Sequence, residues 1–77
     1  MEFTRYIDNG LYSRKALAQA REAYHQYCTV RAQPQATGEV AITVSVKPEY
    51  RAEARNVTLA FWNFFLDTSC KDRLENA

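Results

Sequence analysis

The residue pattern predicts an α+β fold of order β-α-β-β-α: a three-stranded antiparallel sheet in the order 1-3-2 with two helices on one face, a truncated ferredoxin-like arrangement. Three observations lead there. Val40, Ile42, Val44 and Val46 alternate with Ala41, Thr43, Ser45 and Lys47, the period-two signature of a strand. Ala16, Leu17, Ala20, Ala23, Tyr24 and Tyr27 recur at three- and four-residue steps, the period of an amphipathic helix. A second apolar-rich run with helical spacing follows Pro48.

Taken in order, Glu2 to Ile7 reads as the first strand, with Phe3, Arg5 and Ile7 on one face and Thr4 and Tyr6 on the other. Asp8-Asn9-Gly10 ends it, an Asx-Gly pair being favoured in turns. Ser13 is placed to cap the first helix, because its hydroxyl can accept from an N–H of the opening turn. From Cys28 the period changes to two, with Cys28, Val30 and Ala32 facing one way and Thr29, Arg31 and Gln33 the other. Pro34 stops that run, since it has no N–H to give a ladder. Pro34 to Gly38 makes the turn into the Val40–Val46 strand. Pro48 opens the second helix, with Glu49 and Glu53 near its positive N-terminal end, and the helix is expected from about Glu49 to Thr68 or beyond.

A right-handed crossover between the first two strands leaves room for the third to insert between them. The edge beside the first strand, which a fourth strand occupies in the full ferredoxin-like fold, is then open, and an open edge invites pairing with another chain.

The chain of 77 residues is expected to be one small domain over 1–77. A domain of this size buries only about 60% of its unfolded surface and supplies roughly 3–5 kcal/mol unless something helps, so a partner is expected early. Ten Lys and Arg against nine Asp and Glu give a net charge of +1, with no basic cluster to draw phosphates, so nucleic-acid binding is not expected. Gly10 and Gly38 are the only glycines and stand far apart, which excludes a Gly-rich phosphate loop. There is no run of about 18 apolar residues to span a membrane, and the opening Met-Glu-Phe-Thr-Arg lacks the regions of a signal peptide, so a cytoplasmic location is expected. Cys28 and Cys70 are too few for a disulfide scaffold and are read as reduced thiols.

His25 and Cys28 have part of a metal-site spacing but lack a third ligand. Cys70 falls at the far end of the second helix, about 25 Å away at 1.5 Å per residue. His25 is read as an exposed helix residue and Cys28 as a small buried hydrophobe. Ser13, Ser45 and Ser69 have no base beside them, and the carboxylates are scattered. No catalytic residue, no cofactor and no metal are therefore expected.

The second helix carries more apolar surface than one core needs. Tyr50, Ala54, Val57, Phe61, Phe64 and Phe65 form the stripe expected to face the sheet, while Leu59, Trp62 and Leu66 form another roughly opposite. That second stripe predicts a protein-binding surface with Trp62 as its exposed anchor, and Asn63 and Asp67, with Arg73, as polar residues on its rim. Two alternatives stay open: a different packing of the helix, or a tail, Lys71 to Ala77, folded back over Trp62. The polar sheet face of Thr4, Tyr6, Thr29, Arg31, Thr43 and Ser45 is a second candidate contact, or simply solvated.

Several of these features together resemble a known family. They are Leu11-Tyr12-Ser13 before an Ala-rich helix, Ala16, Leu17 and Ala20 within it, Tyr24 towards its end, the Val40–Val46 strand, and Phe61-x-Asn63-x-x-Leu66-Asp67 followed by Arg73. The chain resembles, over nearly its whole length, the HxsD-like proteins of the His-Xaa-Ser peptide-maturation system. It departs from their pattern by setting Thr68 to Asp72 between Asp67 and Arg73, where an Arg closer to the Asp is expected. The resemblance implies a non-catalytic accessory protein acting beside radical-SAM maturases on a ribosomally made repeat peptide, with a maturase or the precursor peptide as partner and no catalytic residues to carry over. The alternative is a homodimeric ferredoxin-like module with a structural or small-ligand-sensing role.

Overall fold

In the computed structural model, which describes the backbone of residues 1–75 and the side chains of residues 1–71, the order is β1 (Glu2–Asp8), α1 (Arg14–Ala23), β2 (Cys28–Pro34), β3 (Glu39–Val46) and α2 (Ala54–Glu75). Short 3-10 turns lie at Asn9–Leu11 and Pro48–Glu53. The strands form one antiparallel sheet in the order β1-β3-β2, the predicted topology. The register runs from Glu2↔Ser45 to Asp8↔Glu39 on one side of β3 and from Cys28↔Val46 to Pro34↔Val40 on the other.

Local chemistry sets each boundary. The Asp8 carboxylate accepts from the Gly10 N–H at 2.8 Å and turns the chain out of β1. Ser13 Oγ accepts from the Ala16 N–H at 3.1 Å, the cap expected for α1. Gly38, at φ +88°, takes the left-handed conformation that closes the β2–β3 turn. Pro48 does open the second helical region, but its first turn is 3-10, and Tyr50 at φ −111°, ψ 17° breaks the helix there. The α-helix proper starts at Ala54, five residues later than the expected Glu49, because Tyr50 bends out of helical geometry to lay its ring on Tyr27, centroids 4.8 Å apart.

The helices share one face of the sheet. Cys28, Val30, Val40, Ile42, Val44 and Val46 point up into a core with Ala16, Leu17 and Ala20 of α1 and Ala54, Val57, Phe61, Trp62 and Phe65 of α2. The thinnest dimension, 15 Å between Cα extremes, corresponds to two layers, so the other sheet face is left to solvent. That face is polar and knitted across the strands: Thr4 and Thr43 hydroxyls meet at 3.0 Å, and Glu2 takes both Ser45 Oγ at 3.0 Å and the Arg31 guanidinium at 3.5 Å.

Two expectations about α2 need correction. Trp62 is 3% exposed, not a solvent-facing anchor. The buried arc of α2 is wider than one stripe, because α1 flanks the helix on one side and the upturned side chains of β1 on the other. Thr58, Trp62, Phe65 and Ser69 form its second flank. Phe64, expected to face the sheet, is 37% exposed and lies instead against Tyr24 of α1, centroids 5.8 Å apart. The backbone after Lys71 stays helical to Glu75 and over that stretch does not fold back over Trp62; the last two residues of the expected tail lie outside the described residues.

Candidate partner-binding surface

Both outer strands of the sheet have a free side among the described residues. Which residues present their backbone there follows from the ladder. Val46 N–H donates to the Met1 carbonyl at 2.9 Å and Asn9 N–H to the Gly38 carbonyl at 3.1 Å, so the odd residues of β1 bond to β3. By the alternation of an antiparallel pair, Glu2, Thr4, Tyr6 and Asp8 turn their N–H and C=O groups outward.

Side chains follow the opposite alternation. Phe3, Arg5 and Ile7 rise on the helix side, as expected from the sequence, and Phe3 and Ile7 rest half-buried on the core. Arg5 stands between them with its guanidinium 5.2 Å from the centre of the Trp62 ring, a cation over an aromatic face. The indole fills the space beneath β1 and touches Phe61 and Phe65 edge-on, at 5.6 and 5.8 Å. Its Nε1–H is buried without an acceptor among the described residues, and such a group ordinarily costs about 1–3 kcal/mol to leave unpaired.

Between β1 and α2 runs a groove of about 690 Å³, walled by Glu2, Phe3, Thr4 and Arg5 on the strand and by Arg55, Thr58, Leu59 and Trp62 on the helix. Thr58 spends its hydroxyl on the Ala54 carbonyl at 2.8 Å. Glu2 is engaged on the far face of the sheet by Arg31 and Ser45. Arg5 and Arg55 have no carboxylate within ion-pair reach among the described residues, so the groove presents positive charge over an apolar floor.

The five residues predicted from the sequence fall in three places. Leu59 and Leu66, 45% and 50% exposed, stand two turns apart on the outer face of α2 with exposed Asn63 between them. Asp67 is exposed and paired with Lys71 at 3.2 Å, an i,i+4 pair turned towards α1. Trp62 belongs to the groove floor. Leu59 sits on the groove lip, so the outer face of α2 and the edge of β1 make one continuous surface. The side chain of Arg73 lies outside the described residues.

The groove itself was not foreseen. Its signal was present in the placement of Arg5 between Phe3 and Ile7, a cation at an inward position, and in Thr58, Trp62, Phe65 and Ser69, a 4-3-4 spacing that polar residues disguise.

Elsewhere the chemistry is sparse. Cys28 is buried, and its thiol approaches the Tyr24 carbonyl at 3.6 Å; burial pushes its pKa up, with the nearby Lys47 ammonium opposing that in part. His25 is exposed, its Nδ1 2.8 Å from the Glu22 carbonyl. Among the described residues no three His, Cys, Asp or Glu side chains gather as metal ligands, and no helix is long and apolar enough to cross a membrane.

Fold and surface together define a small α+β domain with one polar sheet face in solvent and, among the described residues, two unpaired strand edges, of which the β1 edge carries the wider groove. No protein-family model, curated protein or solved structure matches this chain.

Proposed function

We propose that the protein is a non-catalytic accessory protein that docks another protein chain through the outer face of α2 and the adjoining edge of β1. The setting is the one implied by the HxsD-like resemblance: maturation of a ribosomally synthesised peptide, with a radical-SAM maturase or the precursor peptide as the partner. One observation carries the docking surface. Leu59 and Leu66 stay in water on a helix whose opposite side is already filled by the core, and Leu59 adjoins β1, whose outer side has no partner strand among the described residues. Exposed leucines grouped with a polar rim are what a protein interface presents.

The test is co-purification of tagged protein from its native host, comparing wild type with the double variant Leu59→Asp, Leu66→Asp. Both positions are exposed, so the variant is expected to keep the wild-type circular dichroism spectrum. Recovery of an iron–sulfur maturase or a His-Xaa-Ser repeat peptide with wild type, and its loss with the variant, supports the reading. Recovery of the chain alone, sedimenting at twice the monomer mass, transfers the surface to a homodimer and overturns the accessory role.

A further inference from the structure

We propose that the free edge of β1 accepts an extended acidic segment of another protein as a fourth strand, with a carboxylate of that segment seated at Arg5 and Arg55 above the Trp62 indole. This rests on the reading above that the β1–α2 side is the docking surface, and names the chemistry of what docks there. The outward N–H and C=O groups of Thr4 and Tyr6 supply the main-chain bonds of strand addition. The groove beside them supplies a place for the inward side chains of the added strand, apolar against Phe3 and Leu59 and acidic against the two guanidinium groups. The Trp62 ring lines that groove, so its indole N–H, buried and without an acceptor among the described residues, is a reporter of what enters it.

Charge selects the occupant. A second copy of this chain brings only Phe3, Arg5 and Ile7 to the inner side of the added strand if it pairs through β1, or Thr29, Arg31 and Gln33 if it pairs antiparallel through β2, and no carboxylate in either case. In the two-fold antiparallel register centred on Arg5, the two guanidinium groups stand opposite each other, and like charges so placed are destabilising. Nor does the chain cover its own edge within the described residues, since α2 remains helical to Glu75. The complementary partner is therefore a heterologous chain with alternating apolar and acidic side chains.

The experiment is an NMR titration of the full-length 15N-labelled protein with the blocked peptide Thr-Val-Thr-Glu-Thr-Val-Thr, which shows Val-Glu-Val on one face. The expected result is shifts concentrated at the Thr4 and Tyr6 amides and the Trp62 indole N–H. Binding is expected to weaken at least about tenfold when the peptide Glu is replaced by Lys, when the threonine amides that face β1 are N-methylated, or with the protein variant Arg55→Glu. Arg55 is exposed on α2, so that variant keeps the fold. Equal binding of the Lys peptide overturns the acidic preference, and shifts confined to the Thr29–Arg31 face, or none at millimolar peptide, overturn strand addition at β1. If the peptide fails while a partner still co-purifies through Leu59 and Leu66, the acidic strand falls and the docking surface stands.

Discussion

The two edges of this sheet are built differently, although the same central strand pairs with both. On β2 the ladder contacts Lys47 N–H to Tyr27 C=O and Gln35 N–H to Glu39 C=O leave Cys28, Val30, Ala32 and Pro34 facing outward, and Pro34 has no N–H to offer. Beneath β2 the small residues of α1, Ala16, Leu17 and Ala20, each at most 3% exposed, wall the core, and two smaller hollows of about 350 and 310 Å³ lie along that edge, beside Ala32 and Pro34 and beside Cys28 and Val30. On β1 every outward residue keeps its N–H, and the space beneath is filled by a single large ring with a cation above it. An edge without a proline, with the wider groove and an inward charge, is guarded against its own kind yet open to a complementary chain. The contrast teaches that edge protection and edge recognition use the same residue, Arg5.

The largest expected effect comes from removing that ring. Trp62→Ala empties the floor under β1 and costs about 3–5 kcal/mol, the range for deleting a buried aromatic. That is comparable to the whole stability expected of a domain this size, so the variant is expected to be unfolded or nearly so at 25 °C by circular dichroism. Leu59→Ala, on the adjoining turn but 45% exposed, is expected to stay within about 0.5 kcal/mol of wild type by urea denaturation. Equal small effects at both positions would break the contrast, since they would put Trp62 in water beside Leu59.

Trp62 also marks the limit of what the sequence discloses. The strands and the Ser13 cap were legible because they rest on near-neighbour physics, alternation, capping and turn residues acting over a few positions, and the order 1-3-2 followed from the right-handed crossover rule applied to those elements. The exposure of Leu59 and Leu66 was legible for the same reason, from their place on the helix. How wide an arc of α2 would be buried was not, because that depends on β1, some fifty residues away in sequence, turning Phe3, Arg5 and Ile7 up beside the helix. Helical periodicity gives the angle between residues but not how much of the circle a neighbour covers. Phe64 failed in the same way: its angle was right for the buried side, but α1 meets it before the sheet does. The kink at Tyr50 was hidden too, since the Tyr27 ring that holds it comes from another element.

A middle-sized effect tests the guard on β1. Arg5→Val removes the inward charge and completes an apolar face of Phe3, Val and Ile7 along an unpaired strand. The lost contact with the indole costs about 0.5–1 kcal/mol, so the fold survives. The larger consequence is association: in sedimentation the average mass is expected to rise with concentration, while wild type stays monomeric over the same range. Ala32→Val makes a comparable apolar gain on the inner face of β2 and is expected to leave the mass unchanged, because Pro34 cannot donate along that edge. Association of both variants to the same degree would erase the distinction between the edges.

The smallest effect reports on how tightly the β2 side is closed. Cys28 begins β2, and burial raises its pKa because the thiolate loses water that the thiol does not need; Lys47 offsets only part of this. The unfolded chain therefore ionises first, at an ordinary thiol pKa of about 8.5, and gains protection from refolding as it does so. Stability is full below that pH and falls as pH rises towards the raised folded value, the sign for a group whose neutral form is the one the fold holds. Relative to Cys28→Ala, the wild-type urea midpoint is expected to hold a constant offset below about pH 8 and to lose ground above it. Iodoacetamide is expected to label exposed Cys70 quickly and Cys28 only at the rate of opening. Rapid labelling of both thiols with a pH-independent offset would mean that water reaches the core under β2 as readily as it reaches the groove under β1, and the two edges would then differ only in their charge.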